Sequence, residues 1–152
     1  MQVHLAMPTE LRAAYEREGF EHADPDTATV IATGAVAADW PGTLDQLTLV
    51  YRAARTAATS GQPVVFVVPV DDLLGRSGPT AAMAAGGIVS AARTMAAEMR
   101  RAGVPVNTLA TGGETTTATV VAWARVLLVP DGTGPTGELI HLGGSQIGKA
   151  LS

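Results

Sequence analysis

The residues of this chain best suited to proton transfer or metal binding near neutral pH are His4, His22 and His141. They lie far apart in sequence. Metal ligands come as clusters, so each histidine is expected to be structural and no metal site is expected. Four aspartates could act as paired carboxylates. Asp24 and Asp26 flank Pro25 in a pattern that reads as turn chemistry. Asp71 and Asp72 follow "PVVFVVPV", the most apolar run of the chain, at the C-terminal end of an expected strand. Open parallel sheets bind ligands at that end, so Gly34, Asp71, Asp72 and Gly112 form a candidate edge for a small anionic ligand. The stretch "GTGPTG" (132–137) matches G-x-G-x-x-G. It follows an expected helix, precedes an expected strand and contains Pro135, so it is expected to be an ordinary loop. No serine stands in G-x-S-x-G, which excludes a hydrolase elbow.

Composition narrows the class. The chain has 152 residues, enough for one domain with a real core. It is 47% hydrophobic and only 4% aromatic, which suits small-residue helices packed closely on a sheet. Charged residues make up 16%, so part of the surface is expected to be an interface. The net charge is −4 and no basic run exceeds Arg100-Arg101, which argues against nucleic-acid binding. With no cysteine, disulfides, thiolate metal sites and a cysteine nucleophile are excluded. The opening residues do not read as a signal peptide and no segment approaches a membrane span, so a cytoplasmic protein is expected.

The elements follow from periodicity and breakers. Strands are expected over 2–7, 29–34, 63–70, 104–110 and 137–144, and helices over 8–19, 42–61, 79–102 and 115–129, with 21–28 as a loop. Five apolar strands alternating with four helices predict an α/β fold with parallel pairing and right-handed crossovers.

From about residue 28 onward the order and local sequence resemble the C-terminal half of a short-chain dehydrogenase/reductase. "TVIATG" stands where the family has a strand ending in Asn-Ala-Gly. "PVVFVVPVDDLLGRSG" resembles the next strand, the catalytic-serine loop and a Gly-rich turn. "GGIVSAARTMAAEMRRAGVPVNTLATGG" resembles the long interface helix, the strand with Asn and the turn after it. "VVAWARVLLVPDGTGPTGELIHLGG" resembles the penultimate helix and closing strand. The resemblance implies a truncated, Rossmann-like three-layer fold with a parallel sheet of about five strands. It also implies a single domain over 1–152, with 1–28 a shortened N-terminal part and 29–152 the family-like part.

The same resemblance exposes missing chemistry. The family uses a proton-transferring Tyr, a Lys four residues later that lowers the Tyr pKa, and an orienting Ser. Matching "ARTMAAE" places the Tyr near Ala81, the Lys near Ala85 and the Ser beside Pro69. The only tyrosines are Tyr15 and Tyr51, followed four residues later by Gly19 and Arg55, and the only lysine is Lys149. The only asparagine is Asn107, where the family keeps a structural one. "QVHLAM" runs into "PTELRAAYE" with Pro8, Glu10 and no glycine, so the pyrophosphate-binding turn is missing as well. Two strand–helix units of a full family member have no room before residue 28, which would remove the edge carrying the adenosine ribose.

No catalytic or cofactor-binding residue is therefore expected in this chain, and NAD(P) is expected on a partner. At ~100° per residue, Ala84, Ile88, Val89, Ala91, Ala92, Met95, Ala96 and Met99 share an arc wider than one sheet-facing stripe needs. In the family, the helices matching 42–61 and 79–102 pair across a two-fold axis. Leu47, Val50, Tyr51, Ala84, Ile88, Ala91 and Met95 are thus the candidate partner interface. The resemblance implies a non-catalytic subunit that supports a full-length dehydrogenase or ketoreductase of the same family. Family-like halves also stand beside ketoreductase domains in polyketide synthases. The alternative is a homo-oligomeric small-ligand module without redox activity.

Overall fold

The computed structural model describes residues 1–32, 39–129 and 133–143. Its core is a single sheet of six parallel strands: β1 (Gln2–Ala6), β2 (Glu21–His22), β3 (Thr29–Ala32), β4 (Val64–Pro69), β5 (Val106–Thr111) and β6 (Leu139–Leu142). Their order across the sheet is β2-β1-β3-β4-β5-β6. The helices are α1 (Thr9–Arg17), α2 (Trp40–Thr59), the single turn α3 (Val70–Leu73), α4 (Pro79–Met99) and α5 (Thr117–Leu127). The result is the parallel α/β architecture expected from the alternation and the three-layer, Rossmann-like fold that the resemblance implies, with six strands in place of about five.

The strands are apolar on both sides because helices cover both faces. Val30, Val65, Val67 and Leu109 point to the face carrying α1 and α5, together with Val3 and Leu5 of β1 and Met7 just after it. Ile31, Val64, Phe66, Val68, Val106 and Ala110 point to the face carrying α2 and α4. Each such side chain, fully buried, contributes about 1.5–3 kcal/mol.

Local chemistry sets the helix ends. Asp39 caps α2, its carboxylate accepting from the Gly42 amide at 2.9 Å, and Pro41 sits in the first turn. Thr116 caps α5 through the Thr119 amide at 3.2 Å. A 3-10 turn, Arg100–Ala102, extends α4 and ends at Gly103, whose φ of 68° suits a residue without Cβ. Arg125 of α5 donates to the Glu18 and Gly19 carbonyls at the end of α1 and lies over the Phe20 ring, tying the two helices together.

Two elements depart from the sequence reading. Residues 21–28 were expected to be all loop, yet Glu21 and His22 form β2 beside Gln2 and Val3. A two-residue strand carries no periodicity of its own and exists only because β1 offers an edge. The β1–α1–β2 unit therefore does fit before residue 28. The turn α3, after β4, was likewise not anticipated.

The broad apolar arc of α4 is explained by packing within the chain. Ala84, Ile88, Val89, Ala92 and Ala96 are buried, because α4 lies against both the sheet and α2. Among the described residues no helix is long and apolar enough to cross a membrane.

Candidate functional site

The strand order reverses between β1 and β3: α1 leaves β1 toward one face, and α2 follows β3 on the other. Open α/β sheets bind ligands at the C-terminal end of such a switch point. Two concavities flank it here, and Ala32 at the end of β3 lines both. The larger, of about 460 Å³, lies on the α2 side and is bounded by β1, the start of α1 and α2. The smaller, of about 210 Å³, lies between α1 and α5 and is lined by Tyr15, Thr111 and Thr115 among others.

The smaller site holds the one buried phenol. Tyr15 is 3% exposed and its ring stacks near Phe20, with centroids 6.4 Å apart. Burial disfavours the phenolate and pushes its pKa up to about 12. A group so poised holds its proton at neutral pH, and no lysine stands near it in the sequence. Tyr51 is exposed on α2, where its hydroxyl accepts from Arg55 Nη1 at 3.4 Å. The positions matched to the family's Tyr and Lys, Ala81 and Ala85, lie one turn apart on α4 and are buried, with no functional group between them.

The first turn of α1 does not suit a dinucleotide. Pro8 supplies no amide hydrogen, Glu10 adds negative charge, and no glycine lets backbone approach a pyrophosphate. Asp24 follows β2 where a ribose-binding acid would stand. Its carbonyl is engaged by the Thr27 amide and hydroxyl in the turn that leads back to β3.

The expected ligand edge is partly assembled. Register pairs Pro69 with Thr111, so Asp71, Asp72 and Gly112 follow adjacent strands at the same C-terminal end of the sheet. The two carboxylates do not form a pair. Asp71 is exposed and bound to Arg76 at 2.9 Å, whereas Asp72 is buried. The Gly112 amide already donates to Thr115 Oγ1 at 3.0 Å and to the Leu142 carbonyl at 3.2 Å. Gly34 lies outside the described residues.

Of the expected interface positions, Tyr51 and Ala91 are exposed and Leu47 and Met95 are half-buried. Val50, Ala84 and Ile88 are buried within the chain, since they point at the sheet and at the neighbouring helix. The outward side of α2 and α4 is made instead by Leu44, Tyr51 and Met83, all well exposed. Gly86, Gly87 and Ser90 are exposed beside them.

Sequence distance concealed one pairing. His4 and His22 stand with ring centroids 5.3 Å apart. His4 Nδ1 donates to the Ala23 carbonyl at 3.1 Å, and His22 Nδ1 accepts from the Leu5 amide at 3.1 Å. The His22 pKa is lowered, first by desolvation and then by the Arg12 and His4 charges, against raising contributions from Glu16 and Asp24. Among the described residues no group of three or more possible metal ligands occurs. The "GTGPTG" loop is structural where described. Asn107, 1% exposed, donates to the Pro135 carbonyl at 2.7 Å and accepts from the Glu138 amide at 3.2 Å. Its first glycine, Gly132, lies outside the described residues.

A six-stranded parallel sheet in this order, with helices on both faces, is a doubly wound, Rossmann-like fold similar to that of short-chain dehydrogenases/reductases, here without that family's glycine turn or Tyr-x-x-x-Lys pair. The structure superposes on 3-hydroxyacyl-CoA dehydrogenase type-2 from Mycobacterium avium with a TM-score of 0.69 and 17% identity, over 93% of this chain and 85% of that one. It superposes on a short-chain oxidoreductase from Brucella ovis with a TM-score of 0.66 and 15% identity, over 93% and 99%. A Brucella ovis short-chain oxidoreductase in complex with a partially ordered NAD matches with the same TM-score and identity. No family model and no curated protein matches the chain.

Proposed function

We propose that this chain is a non-catalytic subunit that docks onto a complete NAD(P)-dependent short-chain dehydrogenase or ketoreductase, the partner supplying tyrosine, lysine and nucleotide. The observation that carries this reading is the outward side of α2 and α4. Leu44 and Tyr51, seven residues apart, stand on one stripe of α2, and Met83, Gly87 and Ser90 on one stripe of α4. A Cβ built at Gly86 or Gly87 meets nothing within 4 Å, so the chain's own packing does not require glycine there. Small residues at that place let a second helix approach closely.

The test is co-expression with a full-length family member from an adjoining reading frame, followed by a mass measurement. A stoichiometric complex whose turnover depends on the partner's tyrosine is expected. Tyr51→Glu and Met83→Glu, both at exposed positions, are expected to dissolve it while leaving the circular dichroism unchanged. A chain that stays apart from such a partner overturns the reading.

A second reading, a homo-oligomeric ligand-binding module without redox activity, is favoured by the 460 Å³ cavity beside β1.

A further inference from the structure

On the α2 side of the sheet, β1 presents Gln2, His4 and Ala6, and the last two line the cavity. Helix α2 lies over β3 and beside α4, and it meets β1 only along its flank. The chain passes from β2 to β3 through the short 23–28 turn, which reaches the space only at Pro25. The cavity is what remains uncovered. It runs down the sheet face, from Met7 and Pro8 at the strand ends to Thr56 near the end of α2. A dinucleotide lying across the strand ends would follow a different line.

Its walls are apolar, with Leu49, Val50 and Ala53 of α2 on one side and Ala6 of β1 on the other. Its charges are of one sign. Arg12 and Arg52 line it, and among the described residues no aspartate or glutamate does, in a chain whose net charge is −4. Arg12 adds an independent observation: its Nε is buried and has no hydrogen-bond partner. A buried donor left unpaired is costly, and an anion held by the rest of the Arg12 guanidinium would offset that cost. Leu49, 66% exposed, stands at the rim as an apolar side chain that a ligand would cover.

We propose that this cavity binds a small amphipathic carboxylate, its head on Arg12 and its apolar body along α2 between Leu49 and Ala53. The proposal gives the second reading its ligand class. It is measured on the isolated chain, so its outcome is separate from that of the docking experiment.

The probe is decanoate below its micelle concentration, titrated calorimetrically into the full-length chain at pH 7.5. One saturable site per chain is expected. Arg12→Gln is expected to weaken binding by at least about tenfold, as loss of a charge-assisted hydrogen bond does. Leu49→Glu, at an exposed position that leaves folding intact, is expected to weaken it through like-charge repulsion. Decan-1-ol should bind more weakly than decanoate, and decyltrimethylammonium should not bind. Absence of saturable binding, equal affinity in the wild type and both variants, or displacement of decanoate by NADH would each overturn the proposal.

Discussion

His22 Nδ1 accepts a hydrogen bond from the Leu5 amide at 3.1 Å, where a longer β2 would have offered a backbone carbonyl. The Leu5 amide points to the β2 side of β1, while the His4 amide bonds the Ala28 carbonyl on the other side. The imidazole therefore completes the ladder of an edge strand that stops after two residues. Only an unprotonated Nδ1 can accept this bond.

Acid is expected to loosen this edge. The folded pKa of His22 lies below the ordinary 6.5, so the native state binds its proton less readily than the unfolded chain. The stability contributed is fully present above about pH 6.5 and is lost as pH falls through the depressed folded value. Urea midpoints between pH 7.5 and 5 should fall, and His22→Asn, whose Oδ1 can take the same amide, should flatten the profile. Parallel profiles would show that His22 does not carry the effect.

Alkali should act through Tyr15. Its folded pKa is pushed up to about 12 from 10.0, so the native state holds the proton longer than the unfolded chain. The contribution is intact below about pH 10 and is lost as pH rises toward 12, reaching about 2–3 kcal/mol. Urea denaturation at pH 8 and pH 11 should show a larger fall for the wild type than for Tyr15→Phe. An equal fall would place the alkaline sensitivity elsewhere.

Asn107→Ala should cost about 1–3 kcal/mol, because it leaves the Pro135 carbonyl and the Glu138 amide without their side-chain partner. The loss should appear as a lower urea midpoint and as faster amide exchange in β6, whose entry that loop sets through Thr108 opposite Leu139. Unchanged exchange in β6 would count against this role.

Installing the missing pair should not create a dehydrogenase. Ala81 and Ala85 are buried, so Ala81→Tyr with Ala85→Lys overpacks α4 and buries a charge. A lower melting temperature and no NADH-dependent carbonyl reduction are expected. Turnover by the double variant would mean that α4 shifts to expose the pair and that the α1 turn does hold nucleotide.

Much of the architecture was legible in the chain. "PVVFVVPV" and "VPVNTLA" are apolar on both faces, which only a sheet covered on both sides accommodates. The β2 strand was not legible, since Glu21 and His22 acquire strand geometry from β1 alone. Which side chains of α2 and α4 face outward was not legible. The periodicity of α4 showed a wide apolar arc but not that α2 and the sheet would bury Ala84 and Ile88 from two sides.

The sequence by itself determined the alternation of strands and helices and the lack of a Tyr-x-x-x-Lys pair and a glycine turn, because local patterning and residue identity need no neighbours to be read. Tertiary structure alone decided what lies together across the chain. It set His4 beside His22 and left the Arg12 Nε buried and unpaired. It also opened the cavity between β1 and α2. These are relations between segments that meet only when the sheet closes, and no spacing along the chain encodes the distance between them.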